Sequence, residues 1–114
     1  MPRKKNTKRI RVVGTFSEGF AAARQGDEWF HVCFGSKTPA YSQRYTHVGP
    51  FSEGFAAVCQ NHSILFHIKK DGSPAYPERY GLIGPFINGK AEVRTLDGKE
   101  FKIRTDGTKV VNHR

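Results

Sequence analysis

Arg44-Tyr45-Thr46-His47-Val48-Gly49-Pro50-Phe51-Ser52-Glu53-Gly54-Phe55-Ala56-Ala57 is the stretch on which the reading of this chain turns. The same pattern stands 35 residues earlier, as Arg9-Ile10-Arg11-Val12-Val13-Gly14-Thr15-Phe16-Ser17-Glu18-Gly19-Phe20-Ala21-Ala22. It stands again 35 residues later, in looser form, from Arg79-Tyr80 through Gly84-Pro85-Phe86-Ile87-Asn88-Gly89-Lys90-Ala91-Glu92. Each copy continues into an aromatic segment: Trp29-Phe30-His31-Val32, Leu65-Phe66-His67-Ile68 and Glu100-Phe101-Lys102-Ile103. Pro39-Ala40-Tyr41 and Pro74-Ala75-Tyr76 then lead into the next Arg-Tyr. Repetition at a fixed short period means one supersecondary unit used several times, each burying its apolar face against a neighbour.

The third copy shows what the unit is made of. Ala91 and Val93 alternate with Glu92 and Arg94, Asp97-Gly98 turns the chain, Phe101 and Ile103 alternate with Lys102 and Arg104, and Asp106-Gly107 turns it again. Period-two alternation around Asp-Gly turns predicts β-hairpins. Val110-Val111 is read as the start of a last short strand, so each unit is two paired strands plus a short third one. The Ala-rich stretch 20–24 could open a helix, but its third-copy counterpart lies in the clean hairpin and makes it a strand. The first copy is one residue out of step at Trp29, compensated in the turn Gly35-Ser36-Lys37-Thr38. Turns tolerate such insertions. Gly14, Gly49 and Gly84, each five residues before Gly19, Gly54 and Gly89, suggest positions of positive φ or close backbone approach. Phe16, Phe51 and Phe86 are the expected plugs between units.

The expected fold is therefore all-β, with tandem hairpin or meander repeats in three units of about 35 residues (9–43, 44–78 and 79–114), forming an elongated or curved domain. A basic flexible tail, residues 1–8, precedes it. The chain has 114 residues and a net charge of +9, from 19 basic and 10 acidic side chains. Arg3, Lys4, Lys5, Lys8, Arg9 and Arg11 fall in an acid-free opening run, an electrostatic handle for phosphates or acidic surfaces. These six are the candidate partner-binding residues. The run is followed by no apolar segment of signal-peptide or membrane-spanning type, so a cytoplasmic protein with no membrane contact is expected. Cys33 and Cys59 stand far apart and read as ordinary reduced thiols.

The phrases PFSEGFAAV, WFHV or LFHI followed by a turn, and PAYPERY resemble the WG-repeat family, bacterial β-rich tandem repeats also called KWG repeats, over residues 9–111. The naming Trp-Gly dipeptide is absent, since Phe30 follows Trp29. Asn88 and Lys90 replace the glutamate and the aromatic in the third copy, as in a terminal capping unit. The resemblance implies a β-repeat fold and an interaction role, and it supplies no catalytic residues.

His31 and His67 share a column, with Cys33 two residues beyond His31, but Lys102 and Lys69 break any closed set of metal ligands. Half-buried structural histidines are expected, and no metal or cofactor. Glu18 and Glu53 are a full unit apart, too far to converge on one substrate, and are expected to pair with Arg44 and Arg79. P-loop, GxSxG and HExxH patterns are missing. The expected function is a non-catalytic binding or scaffolding module for a protein with an acidic surface. Nucleic-acid binding is the alternative, through the basic tail and interleaved pairs such as Arg44-Tyr45 and Arg79-Tyr80.

Overall fold

The computed structural model describes residues 7–111. Arg3, Lys4 and Lys5 of the basic run lie outside the described residues. Strands β1 (Ile10–Val12), β2 (Phe20–Gln25) and β3 (Glu28–Cys33) form a first antiparallel sheet. Strands β4 (His47–Ser52), β5 (Phe55–Gln60) and β6 (Ile64–Ile68) form a second, and β7 (Leu82–Ile83), β8 (Lys90–Arg94) and β9 (Glu100–Arg104) a third. The extents, 55 × 32 × 19 Å, are those of three small sheets in a row. Among the described residues no helix is long and apolar enough to cross a membrane.

Register explains the composition of the strands. Ala21 opposes Val32 and Ala23 opposes Phe30 in the first sheet, Ala56 opposes Ile68 and Val58 opposes Phe66 in the second, and Ala91 opposes Ile103 and Val93 opposes Phe101 in the third. A small residue facing a large one keeps the layer level, so neighbouring segments can close over it. All these side chains are buried except Phe101, which is half-buried. The opposite face of the first sheet carries Phe20, Ala22 and His31, and this face meets the next unit.

Three expectations need correction. The short third strand is not where it was read: Pro39, Pro74 and Lys109 make only isolated bridges to Val32, Ile68 and Ile103. The third strand of each sheet is instead the leading segment, β1, β4 or β7; β4 contains a Gly-Pro pair, and β1 and β7 are three and two residues long. In β4 the register slips between Val48 and Phe51, so Gly49 and Pro50 form a bulge. A bulge accommodates a residue lacking N–H and re-aims its neighbours, here turning Phe51 inward. The first glycine column accordingly has no positive φ, whereas Gly19, Gly54 and Gly89 do. Finally, Phe51 and Phe86 are 1% and 0% exposed, but Phe16 is 42% exposed, because no unit precedes it among the described residues.

Asp-Gly turns lock one unit onto the last. Asp71 Oδ1 accepts hydrogen bonds from Ser73 N–H and Oγ–H, and Asp106 does the same with Thr108. At Gly72 φ is +87°, and a Cβ there would lie 2.6 Å from Tyr41 Cβ, so the turn presses directly on the preceding unit. Gly98 has φ +97° with open space around it. Gly98→Ala should therefore cost only the left-handed backbone term, about 1–2 kcal/mol. Gly72→Ala should cost more, about 3 kcal/mol or above, because Tyr41 must also move. Urea unfolding of the two variants checks this ordering; equal losses would mean that the turn does not bear on Tyr41.

Candidate functional site

The polar residues of the repeat converge on the junction between units, which is built twice from the same parts. At its outer edge is the two-residue hairpin turn Ser52-Glu53-Gly54-Phe55. Both central residues have positive φ, +54° and +88°, the type I′ geometry that suits the twist of paired strands. Such a turn presents two successive N–H groups outward, and such pairs cradle anions. Here the anion is the carboxylate of the preceding unit. Glu18 accepts from Glu53 N–H at 2.6 Å and Gly54 N–H at 2.8 Å. Glu53 accepts in the same way from Asn88 N–H at 2.5 Å and Gly89 N–H at 2.7 Å. Ser17 and Ser52 add hydroxyl bonds to Phe51 O and Phe86 O. Lys70 stands 3.5 Å from Glu18 and over the Phe20 ring. Desolvation works against the charge, but Gly54 and Glu53 N–H and Lys70 together hold the Glu18 carboxyl below its usual range.

Behind the turn sits the plug. The Phe51 ring lies 5.0 Å from Phe20 and 4.5 Å from His31, and Phe86 lies 5.2 Å from Phe55 and 4.4 Å from His67. Each histidine is fully buried. His31 Nε2–H donates to the Gly49 carbonyl exposed by the bulge (2.7 Å), so Nδ1 must accept, and Tyr41 O–H donates to it at 2.6 Å. His67 repeats this with Gly84 O and Tyr76. Burial depresses both imidazole pKa values below 6.5, the carbonyl bond only partly opposing it. Burial also raises the Tyr41 and Tyr76 hydroxyls. Among the described residues, no buried side-chain nitrogen or oxygen lacks a partner.

The expected Glu–Arg pairing is therefore wrong. Arg44 donates to the carbonyls of Tyr41, Ser42 and Gln43 and covers Phe30 at 4.3 Å; Arg79 does the equivalent over Phe66 at 3.9 Å. The glutamates ignore them for the next backbone turn, a partner that side-chain counting cannot see. Tyr45 and Tyr80 are buried, with backbone bridges to Trp29 and Leu65. The histidines are structural, but fully rather than half buried. Among the described residues no three His, Cys, Asp or Glu side chains gather in a metal-binding group. Of the six candidate contact residues, Lys8, Arg9 and Arg11 are described and exposed, at the start of the first sheet and away from the junctions.

Emptying the plug site should be costly only where the plug is used. Phe51→Ala should lose about 3–5 kcal/mol in chemical denaturation, and Phe16→Ala less than about 1 kcal/mol. Similar losses at both positions would contradict the junction as described. The histidines set a pH dependence. As pH falls through about 6.5 they protonate in the unfolded chain while remaining neutral when folded. The unfolded state then binds more protons, so stability is fully present above that pH and declines below it. Thermal melts from pH 8 to pH 5 should show this decline, and the double substitution His31→Gln, His67→Gln should make it shallower. An unchanged slope would mean that these rings do not titrate as described.

The family model for the WG containing repeat matches residues 11–29 and 44–61, and each match covers a leading strand, the Glu-Gly turn and the strand after it. No curated protein matches the chain. The third unit shares the strand order and the turn geometry of the two matched ones. The chain thus carries two segments that match the WG containing repeat, and its third sheet is built like those two.

Proposed function

We propose that the chain is a non-catalytic binding module for a protein partner with an acidic surface. The observation carrying this reading is the fate of the reactive side chains. His31, His67, Glu18 and Glu53 are committed to bonds between units, while cations remain outside. Arg9 and Arg11 are exposed at the edge of the first sheet, continuing the basic run of Arg3, Lys4, Lys5 and Lys8. Among the described residues strand β1 pairs only with β2, which leaves its outer backbone edge for an added strand as well. The burial of Tyr45 and Tyr80 favours protein over nucleic acid, because base stacking needs exposed rings.

Fluorescence anisotropy with labelled polyglutamate and with single-stranded RNA of equal charge tests this reading. Binding of polyglutamate at low salt is expected, weakening as salt rises. Arg9→Gln, Arg11→Gln and removal of residues 1–7 should each reduce it. The truncation stops there because Ile10 packs against the core. Absence of polyglutamate binding at low salt would overturn the proposal, and clearly tighter RNA binding would favour the nucleic-acid alternative.

A further inference from the structure

The two ends of the row of sheets differ, and the difference points to a docking face. The surface that a unit presents to its predecessor has four parts: the plug, the residue three before it, the pair of turn N–H groups, and the side chain that reaches back from the end of the third strand. In the second unit these are Phe51, Val48, the Glu53 and Gly54 N–H groups, and Lys70. In the first unit they are Phe16, Val13, the Glu18 and Gly19 N–H groups, and Phe34. Val48 is 2% exposed and its counterpart Val13 is 45% exposed. Phe34 is 76% exposed and lies edge-on to Phe16 at 5.1 Å. The turn is already formed, with Glu18 at φ +54° and Gly19 at +85°. Among the described residues no acceptor meets its two outward N–H groups. Lys8 lies at the other end of the sheet, where Gln25 Nε2–H donates to its carbonyl.

The far end is closed in the opposite sense. The third unit's receiving face holds Ile87, Asn88, Lys90 and Lys102 where the earlier units hold Ser, Glu, Phe and His, and these line a shallow cleft of about 550 Å³ with Glu92. Charge on an end face is how a row of repeats stops growing. A second copy docking there would find two ammonium groups, and Asn88 in place of the glutamate that binds the next turn in the earlier units. We infer that the outer face of the first unit is a preformed half-junction. Its partner is a different protein ending in a repeat of the same kind, whose glutamate would bind the Glu18 and Gly19 N–H groups and whose Phe and His would receive Phe16. This rests on the reading of the chain as a protein-binding module and names the partner's chemistry.

A surrogate partner can be made from the chain itself. Ile87→Ser, Asn88→Glu, Lys90→Phe and Lys102→His restore the receiving face, and Phe16→Ala in the same molecule disables its own plug. Mixed with the wild-type chain at ~100 μM, this variant should give a one-to-one complex in analytical ultracentrifugation, and wild type carrying Phe16→Ala should give none. A folded surrogate that forms no complex, or one that binds equally without Phe16, overturns the inference. Self-association of the wild-type chain alone would also overturn it, making a second copy the occupant. Amide NMR of the wild-type chain titrated with glutarate decides the matter even if the surrogate fails to fold. Glu18 and Gly19 N–H should shift downfield while Glu53, Gly54, Asn88 and Gly89 stay still; no shift, or equal shifts at all six, refutes an open carboxylate site. Polyglutamate binding through Arg9 and Arg11 is independent of both readouts, so failure of the acidic-partner reading would be seen separately.

Discussion

The carboxylate of Glu18 bridges Glu53 N–H and Gly54 N–H, Glu53 does the same to the third unit, and the placement of one sheet on the next depends on these contacts. A three-stranded sheet with strands of two to six residues has little stability alone, so each unit persists by burying a face on its neighbour. The apolar plug supplies burial but little direction. The turn supplies direction, because a carboxylate accepting two parallel N–H bonds fixes both distance and orientation. Glu18 and Glu53 adopt left-handed backbone conformations, which side chains with a Cβ resist. In Glu53 that strain is offset on both sides, its N–H receiving Glu18 and its side chain holding the third unit, whereas in Glu18 the side-chain half alone is engaged among the described residues.

The polar side chains of the repeat are taken up in bonds within and between the units. His31 and His67 each have one nitrogen on the carbonyl of Gly49 or Gly84 and the other on a tyrosine, which leaves no lone pair for a ligand. Arg44 and Arg79 are spent on carbonyls and aromatic faces. Among the described residues, Arg9 and Arg11 on the edge of the first sheet and Phe16 on its outer face stay exposed outside these contacts.

The sequence made the repeat, the strands and the turns legible because alternation, Asp-Gly pairs and a fixed period are local signals. It hid β4 because a Gly-Pro pair inside a strand reads as a turn unless a bulge is known to hold it, and β1 and β7 because strands of three and two residues carry no alternation to read. It hid the role of Glu18 and Glu53 for a different reason. Their partners are backbone N–H groups of the next unit, which carry no residue identity, and only the recurrence of glutamate at 35 residues, with asparagine in the last copy, hinted at a stacking role. Phe16 shares a column with Phe51 and Phe86, and its exposure follows from position in the row and not from its own surroundings in the sequence.

Amide hydrogen exchange of the intact chain bears most directly on the carboxylate–turn contact. Six turn amides are chemically alike, and four of them, Glu53, Gly54, Asn88 and Gly89, donate to a carboxylate. Those four should exchange at least about tenfold more slowly than Glu18 and Gly19, the factor expected for one retained hydrogen bond. Equal exchange at all six would contradict the claim that the glutamates tie the sheets together.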